Sequence, residues 1–355
     1  MNINNYGYND DFATSFAQQE TSERLIPARI SAVFKHVYRV VSEDGEQLAK
    51  LKTSSFRDAT RVDRPSIGDF VALESHPGDT SLIHGVLTRK TIILRDDPDV
   101  GEQVVAANFG YCLLVCSAND DFNLNRIERY LTIAWNSGAQ PIIVVTKSDL
   151  TDQLHDYLDQ LEVASFGVPV YPVDSIHGEG LNELQAQFSA GDTLVLLGSS
   201  GVGKSSLVNA LAGEYKMKTN EIREDDAKGK HTTTHRELHL LHNGIIVIDT
   251  PGMRSLGIGQ ASTGLEETFQ DIESLAEQCR FYDCAHTYEQ PDCAVQQALT
   301  DGTLPQKHYN NWLKLKKELA YNERKNNVTQ LLQEKQKWKT IIKAHRDNPK
   351  KRTKR

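Results

Sequence analysis

Residues 198–205 read Gly-Ser-Ser-Gly-Val-Gly-Lys-Ser. The apolar run Thr193-Leu194-Val195-Leu196-Leu197 precedes them, and Ser205-Ser206-Leu207-Val208-Asn209-Ala210-Leu211-Ala212-Gly213 follows with helical spacing. Strand, glycine-rich loop and helix in that order satisfy the full pattern G-x-x-x-x-G-K-[ST]. Gly198, Gly201 and Gly203 let the backbone curl, so that N–H groups of Ser199, Ser200, Gly201, Val202 and Gly203 point at phosphate oxygens. The helix start, at Ser205 and Ser206, adds the positive end of its dipole. Lys204 is expected to reach the β- and γ-phosphates, and the Ser205 hydroxyl to ligate Mg²⁺.

Two further stretches extend this reading. Asp249-Thr250-Pro251-Gly252 closes the apolar run Ile245–Ile248. An acidic residue there holds Mg²⁺ through water, and the Gly252 N–H senses the γ-phosphate. Thr146-Lys147-Ser148-Asp149 follows the apolar run Pro141–Val145. The Asp149 carboxylate can accept from guanine N1–H and the N2 amino group, whereas adenine leaves it poorly paired. Lys147 lays its stem along the base. Together the three stretches point to GTP.

Their order is base element, phosphate loop, DTPG. In ordinary GTPases the base element comes last, so the domain is expected to be circularly permuted. Permutation leaves a sheet intact because domain termini tend to lie close together at the surface. The segment after DTPG then runs directly into the C-terminal part of the chain.

Other runs place the rest. Tyr111–Ala118, Pro141–Thr146, Thr193–Gly198 and Gly244–Thr250 are apolar on both faces, as in a parallel sheet covered by helices. An α/β domain is expected over 100–260. Over 24–95, five short strand-like pieces are separated by the turn signals Glu43-Asp44-Gly45, Pro65–Asp69 and Pro77-Gly78-Asp79. These predict a small β-barrel, of OB or SH3-like type. Residues 1–23 are polar without periodicity and are expected to be disordered. From 262 to 345 the pattern is helical around Cys279-x₄-Cys284-x-His286-x₆-Cys293. Three thiolates and an imidazole suit one tetrahedral structural Zn²⁺. The remaining cysteines, Cys112 and Cys116, lie in an apolar run and read as core residues.

The net charge of −8 argues against a uniformly basic nucleic-acid binder, yet 335–355 carries one acidic residue, Asp347, among many Lys and Arg. A basic tail on an acidic chain is a footprint of nucleic-acid contact. No apolar run approaches the ~18 residues of a membrane helix. The N-terminus lacks the basic start and apolar core of a signal peptide, so a cytoplasmic protein without membrane contact is expected.

At this point the chain resembles the circularly permuted, ribosome small-subunit-dependent GTPase A family of bacteria. The carriers are the motifs above, the stretch 119–131 (NDDFNLNRIERYL) and 229–238 (GKHTTTHREL). The resemblance implies an N-terminal OB barrel, a permuted GTPase domain and a C-terminal zinc domain. It implies GTP hydrolysis with Mg²⁺ and Zn²⁺ as cofactors. The implied partners are the small ribosomal subunit and its rRNA, with the chain acting as a monomer in late subunit maturation. It makes 229–238 the first switch, with Thr232 or Thr233 on Mg²⁺ in the GTP state. Met253 stands where many GTPases carry a water-orienting Gln, and the resemblance gives His231 the part in hydrolysis. Where the family tends to show Ser-Ala or Ser-Ser as second base element, this chain has Asp174-Ser175. The same nucleotide motifs would also serve a GTP-gated switch acting on other RNA or protein.

Overall fold

The computed structural model describes residues 1–19, 25–35, 37–97, 101–165, 167–213, 236–249, 257–259, 262–287 and 290–324. Five strands follow the expected pieces: β1 (Ile26–Val33), β2 (Tyr38–Ser42), β3 (Gly45–Leu51), β4 (Phe70–Glu74) and β5 (Ser81–Val86). They close in the order β1-β2-β3-β5-β4-β1, with β3 and β5 parallel and the other pairs antiparallel. This is the OB order, which settles the choice left open by strand count alone. Ile30, Val40, Val71, Leu73 and Ile83 fill the inside and are fully buried.

Residues 1–19 correct the expectation of disorder. A 3-10 turn (Ile3–Tyr6) leads to α1 (Asp10–Ala17), whose N-cap Asn9 accepts from the Asp11 and Phe12 N–H groups. Phe12 is buried with its ring 4.2 Å from that of Phe70 on the barrel, and Leu87 completes the cluster. A few well-placed aromatics hold a segment that is polar on average, because each buried ring contributes about 2 kcal/mol.

The α/β part has strands β8 (Tyr111–Ser117), β9 (Gln140–Thr146), β10 (Val170–Val173), β11 (Thr193–Leu197), β12 (Arg236–Leu240) and β13 (Ile246–Asp249). Their order is β10-β9-β8-β11-β13-β12, parallel except for β12. Successive side chains face opposite layers. Cys112, Leu114 and Cys116 meet α2 (Leu124–Ser137), while Leu113 and Val115 meet α5 (Lys204–Ala212). Burial pushes both thiols up, Cys116 to about 12, which keeps them as neutral core groups.

Barrel and sheet are one hydrogen-bonded surface, since β12 also pairs with β1 (Ala32 opposite Glu237). Arg29 crosses the seam: fully buried, it donates to the Gly68 and Asn108 carbonyls and to Thr193 Oγ1 at 3.0 Å. The hairpin β6 (Ile92–Asp97) and β7 (Gly101–Ala107) spans the expected boundary near 95–100, so the chain changes layer inside a paired ribbon.

The C-terminal helices α6 (Ser262–Thr268), α7 (Gln270–Ala276), α8 (Ala294–Thr300) and a helix over 306–324 share one apolar core with α2. Gly264 makes the approach possible, because a Cβ there would fall 2.1 Å from the Thr132 carbonyl oxygen.

Candidate GTP site

The phosphate loop leaves β11 and enters α5 as the sequence predicts. A Cβ on Gly198 would lie 2.4 Å from the Val115 carbonyl oxygen, so only glycine lets the loop turn over the end of β8. The N-cap of α5 is Gly203, with no side chain capping the helix start. Its first N–H groups are therefore available to an anion. Lys204 Nζ donates to the Gly198 carbonyl at 2.8 Å and to that of Ser199, folding over the loop that it would share with a phosphate.

Parallel register brings β13 beside β11, Ile248 opposite Val195, which sets Asp249 next to the loop. Burial raises the Asp249 pKa, while His239 and Lys204 oppose that rise. Beyond it, the expected Gly252 and the expected His231, Thr232 and Thr233 lie outside the described residues.

The base element is joined to the same loop. Thr146, at the end of β9, is buried and donates its hydroxyl toward the carbonyls of Cys116 (3.0 Å) and Val202. Lys147 adopts a left-handed conformation (φ 57°) and its Nζ donates to the Gly201 carbonyl at 3.0 Å. The lysine stem thus bridges base element and phosphate loop, and Asp149 is left exposed at the mouth. Elements more than fifty residues apart in sequence form one continuous cradle.

Asp174, in the expected second base element, is bonded within its own loop. Its carboxylate accepts from the N–H groups of Ile176 (2.7 Å) and His177 (3.1 Å) and from His177 Nδ1. Although burial works against it, these bonds hold its pKa below the ordinary carboxylate value. The carboxylate shapes the loop, and its ligand atom lies within 4.8 Å of those of Asp149 and His177, beside the base element. Ser175 Oγ is buried with no hydrogen-bond partner among the described residues. An orphaned hydroxyl costs about 1–3 kcal/mol unless a ligand satisfies it, which fits a base bound beside it.

Comparison with known proteins agrees with this geometry. The RsgA GTPase family model matches residues 86–259. A curated relative, "Small ribosomal subunit biogenesis GTPase RsgA 1" of Listeria innocua, is 52% identical over 355 residues, covering 100% of both chains. The chain belongs to the RsgA GTPase family. Among solved structures, YjeQ from Thermotoga maritima aligns with a TM-score of 0.62 at 25% identity, covering 84% of this chain and 99% of that one. YloQ, described as a circularly permuted GTPase, aligns at 0.58 and 24% identity, covering 85% and 98%. An ABC transporter model also matches residues 181–349. That span contains the phosphate loop, common to both classes, and leaves out Thr146–Asp149.

The cysteine cluster lies apart from the RsgA nucleotide cradle. Ligand atoms of Cys279, Cys284, His286 and Cys293 all lie within 4.8 Å of one another. Cys279 Sγ is 3.9 Å from Cys293 Sγ and 3.6 Å from His286 Nδ1, and Cys293 Sγ is 3.7 Å from that nitrogen. The edge of a tetrahedron with Zn–S arms of ~2.3 Å is about 3.8 Å, so the donor set fits Zn²⁺. Around it, Tyr309 Oη and Gln296 Nε2 donate to the His286 carbonyl at 2.7 and 2.6 Å and fix the loop.

Sequence reasoning missed the seam between α2 and the C-terminal helices. His308, buried, bonds Glu128 Oε1 through Nδ1 (2.7 Å) and Asp271 Oδ1 through Nε2 (3.2 Å). Burial alone would lower its pKa, but the two carboxylates push it up to about 9. Arg129 makes a two-pronged pair with Glu318 at 2.7 and 2.6 Å. The partners on α2, Glu128 and Arg129, lie more than a hundred residues from His308 and Glu318, and no local signal in the sequence joins them.

Proposed function

We propose that this chain is a Mg²⁺-dependent GTPase that acts in late maturation of the small ribosomal subunit, binding it in the GTP state and leaving after hydrolysis. The cradle formed by Thr146, Lys147, Gly201 and Lys204 carries the GTPase part, because it joins base and phosphate elements in permuted order. The printed names of full-length relatives support the ribosomal part.

In this reading Gly198–Ser206 hold the phosphates, Ser205 ligates Mg²⁺, Asp249 holds it through water, and Gly252 senses the γ-phosphate. Asp149 selects guanine, with Ser175 beside it. Thr232 or Thr233 closes over Mg²⁺, and His231 orients the attacking water in place of the absent Gln. Zn²⁺ on Cys279, Cys284, His286 and Cys293 is structural, because four protein ligands leave no open position. The protein works as a cytoplasmic monomer, with its basic tail toward rRNA.

The test is GTP turnover with and without purified small subunits, together with co-sedimentation under a non-hydrolysable GTP analogue and under GDP. Strong stimulation and preference for the analogue form are expected. Turnover indifferent to subunits, with binding indifferent to the nucleotide, would favour a GTP-gated switch with another target.

A further inference from the structure

A cleft of about 530 Å³ opens between the phosphate loop, the start of α2 and the helix over 306–324. Ser199 and Ser200 form its loop side; Arg126 and Arg129 project from α2, and Lys314 from the last helix. Arg129 is committed to Glu318. Arg126 is held differently. Its Nη1 donates to Asp121 Oδ2 at 2.9 Å and to the Ser199 hydroxyl.

Three observations bear on what Arg126 is for. First, the pair with Asp121 is about two-fifths exposed on each side. Such a pair is worth only ~0–1 kcal/mol, so little opposes its release. Second, the backbone under Arg126 is rigid. Asn123 caps α2 by accepting from the Arg126 N–H at 3.1 Å, and two residues on, buried Glu128 is bonded to His308 and Asn311. Third, the guanidinium already touches the second residue of the phosphate loop, on the side where the open cleft leaves room to turn. In GTPases an arginine supplied in cis or in trans neutralises transition-state charge, a role separate from the water-orienting Gln whose place Met253 takes.

We propose that Arg126 is a catalytic arginine supplied in cis. With GTP bound, its guanidinium leaves Asp121 and turns from Ser199 onto the γ-phosphate oxygens. In the step itself, the oxygen of water bonds to the γ-phosphorus and the bond from that phosphorus to the β–γ bridging oxygen breaks. The electron pair leaves on GDP, and the proton of the water passes to the released phosphate. Arg126 neutralises charge on the equatorial oxygens as the bond breaks. This rests on the GTPase reading above and adds a residue that the nucleotide motifs do not contain.

The experiment compares the full-length chain with Arg126→Ala, Arg126→Lys and Asp121→Asn. It measures affinity for GDP and a GTP analogue, single-turnover GTP hydrolysis, and trapping of GDP with aluminium fluoride, which mimics the transferring phosphoryl group. Arg126→Ala should keep GDP and analogue affinity within about threefold, lose on the order of 10²-fold or more in turnover, and fail to trap aluminium fluoride. Arg126→Lys should recover part of the turnover, and Asp121→Asn should keep it. Retained trapping by Arg126→Ala overturns the proposal. So does a loss confined to nucleotide affinity, or a loss in Asp121→Asn as deep as in Arg126→Ala; either makes Arg126 an anchor for the loop. Absence of turnover in the unsubstituted chain overturns the GTPase reading as well, whereas turnover that Arg126→Ala leaves unchanged overturns this proposal alone.

Discussion

His308 sets a pH limit on the seam between the GTPase domain and the helices around the cysteine cluster. It is 5% exposed between Glu128, itself 1% exposed, and Asp271. Asn311 donates to the second Glu128 oxygen, and the Phe269 ring lies 4.8 Å from the imidazole. Burial disfavours the imidazolium, but the two carboxylates outweigh it and carry the pKa from 6.5 to about 9. Because the folded value is raised, the contribution is complete below pH ~6.5 and is lost as pH rises toward ~9. At ~1.4 kcal/mol per pKa unit, about 3 kcal/mol is at stake.

Urea unfolding of the zinc-loaded protein, followed by Trp312 fluorescence, reads this out. Trp312 is buried beside Tyr309 in the same seam. Trp135→Phe and Trp338→Phe remove the other signals. With a urea slope of ~2–3 kcal/mol per M, the midpoint should fall by about 1 M between pH 6.5 and 9.5. His308→Leu should be less stable at pH 7 by ~3–5 kcal/mol, because Glu128 loses its charged partner, and should lack the pH slope. Should that variant not fold, Glu128→Gln keeps a bond to His308 while removing one charge, and about half the slope should remain. Equal pH slopes in the parent and both variants would refute the reasoning.

Asp149→Asn should move preference from GTP to xanthosine triphosphate, read by competition binding; unchanged preference for GTP would remove Asp149 from base selection. Cys293→Ser should lose the bound zinc and, with a structural ion worth ~10 kcal/mol or more, expose residues 306–324 to fast hydrogen exchange. Full zinc content with native protection would reject the ligand set. His231→Ala should bind GTP normally and lose ~10²–10⁴-fold in subunit-stimulated turnover; undiminished stimulated turnover would exclude it from hydrolysis.

What was legible in the sequence follows from how local the physics is. The phosphate loop is readable because close approach of backbone to phosphate dictates residue type at fixed spacing. The four apolar runs Tyr111–Ala118, Pro141–Thr146, Thr193–Gly198 and Gly244–Thr250 contain β8, β9, β11 and β13, because strands buried on both faces leave no polar interruption. Barrel strands were legible from their turns, but the OB order needed the pairing of β3 with β5. The order in residues 1–19 has a local signature. Asn9 as cap, Asp10 and Asp11 in the first turn, and Phe12 with Phe16 one turn on form a helix signature inside a polar stretch. That Asp174 also ties its loop together, through the N–H groups of Ile176 and His177, has no signal in the residue type alone. The seam of Glu128, His308, Arg129 and Glu318 has no local signature at all.

That seam gives the permutation mechanical content. In this motif order the chain passes from DTPG straight into the helices around the cysteine cluster, so one covalent link joins the nucleotide motifs to the C-terminal module. The structure supplies a second link through space. α2 touches the phosphate loop through Arg126, and two and three residues later grips the last helix through Glu128 and Arg129. The Arg129 pair and the buried His308 bonds fix α2 against the last helix, so the start of α2 links the C-terminal helices to the phosphate loop over a few residues. If the seam adopts different arrangements with GTP and with GDP, and a partner of the C-terminal helices distinguishes the two, then nucleotide and partner must change each other's affinity by the same factor.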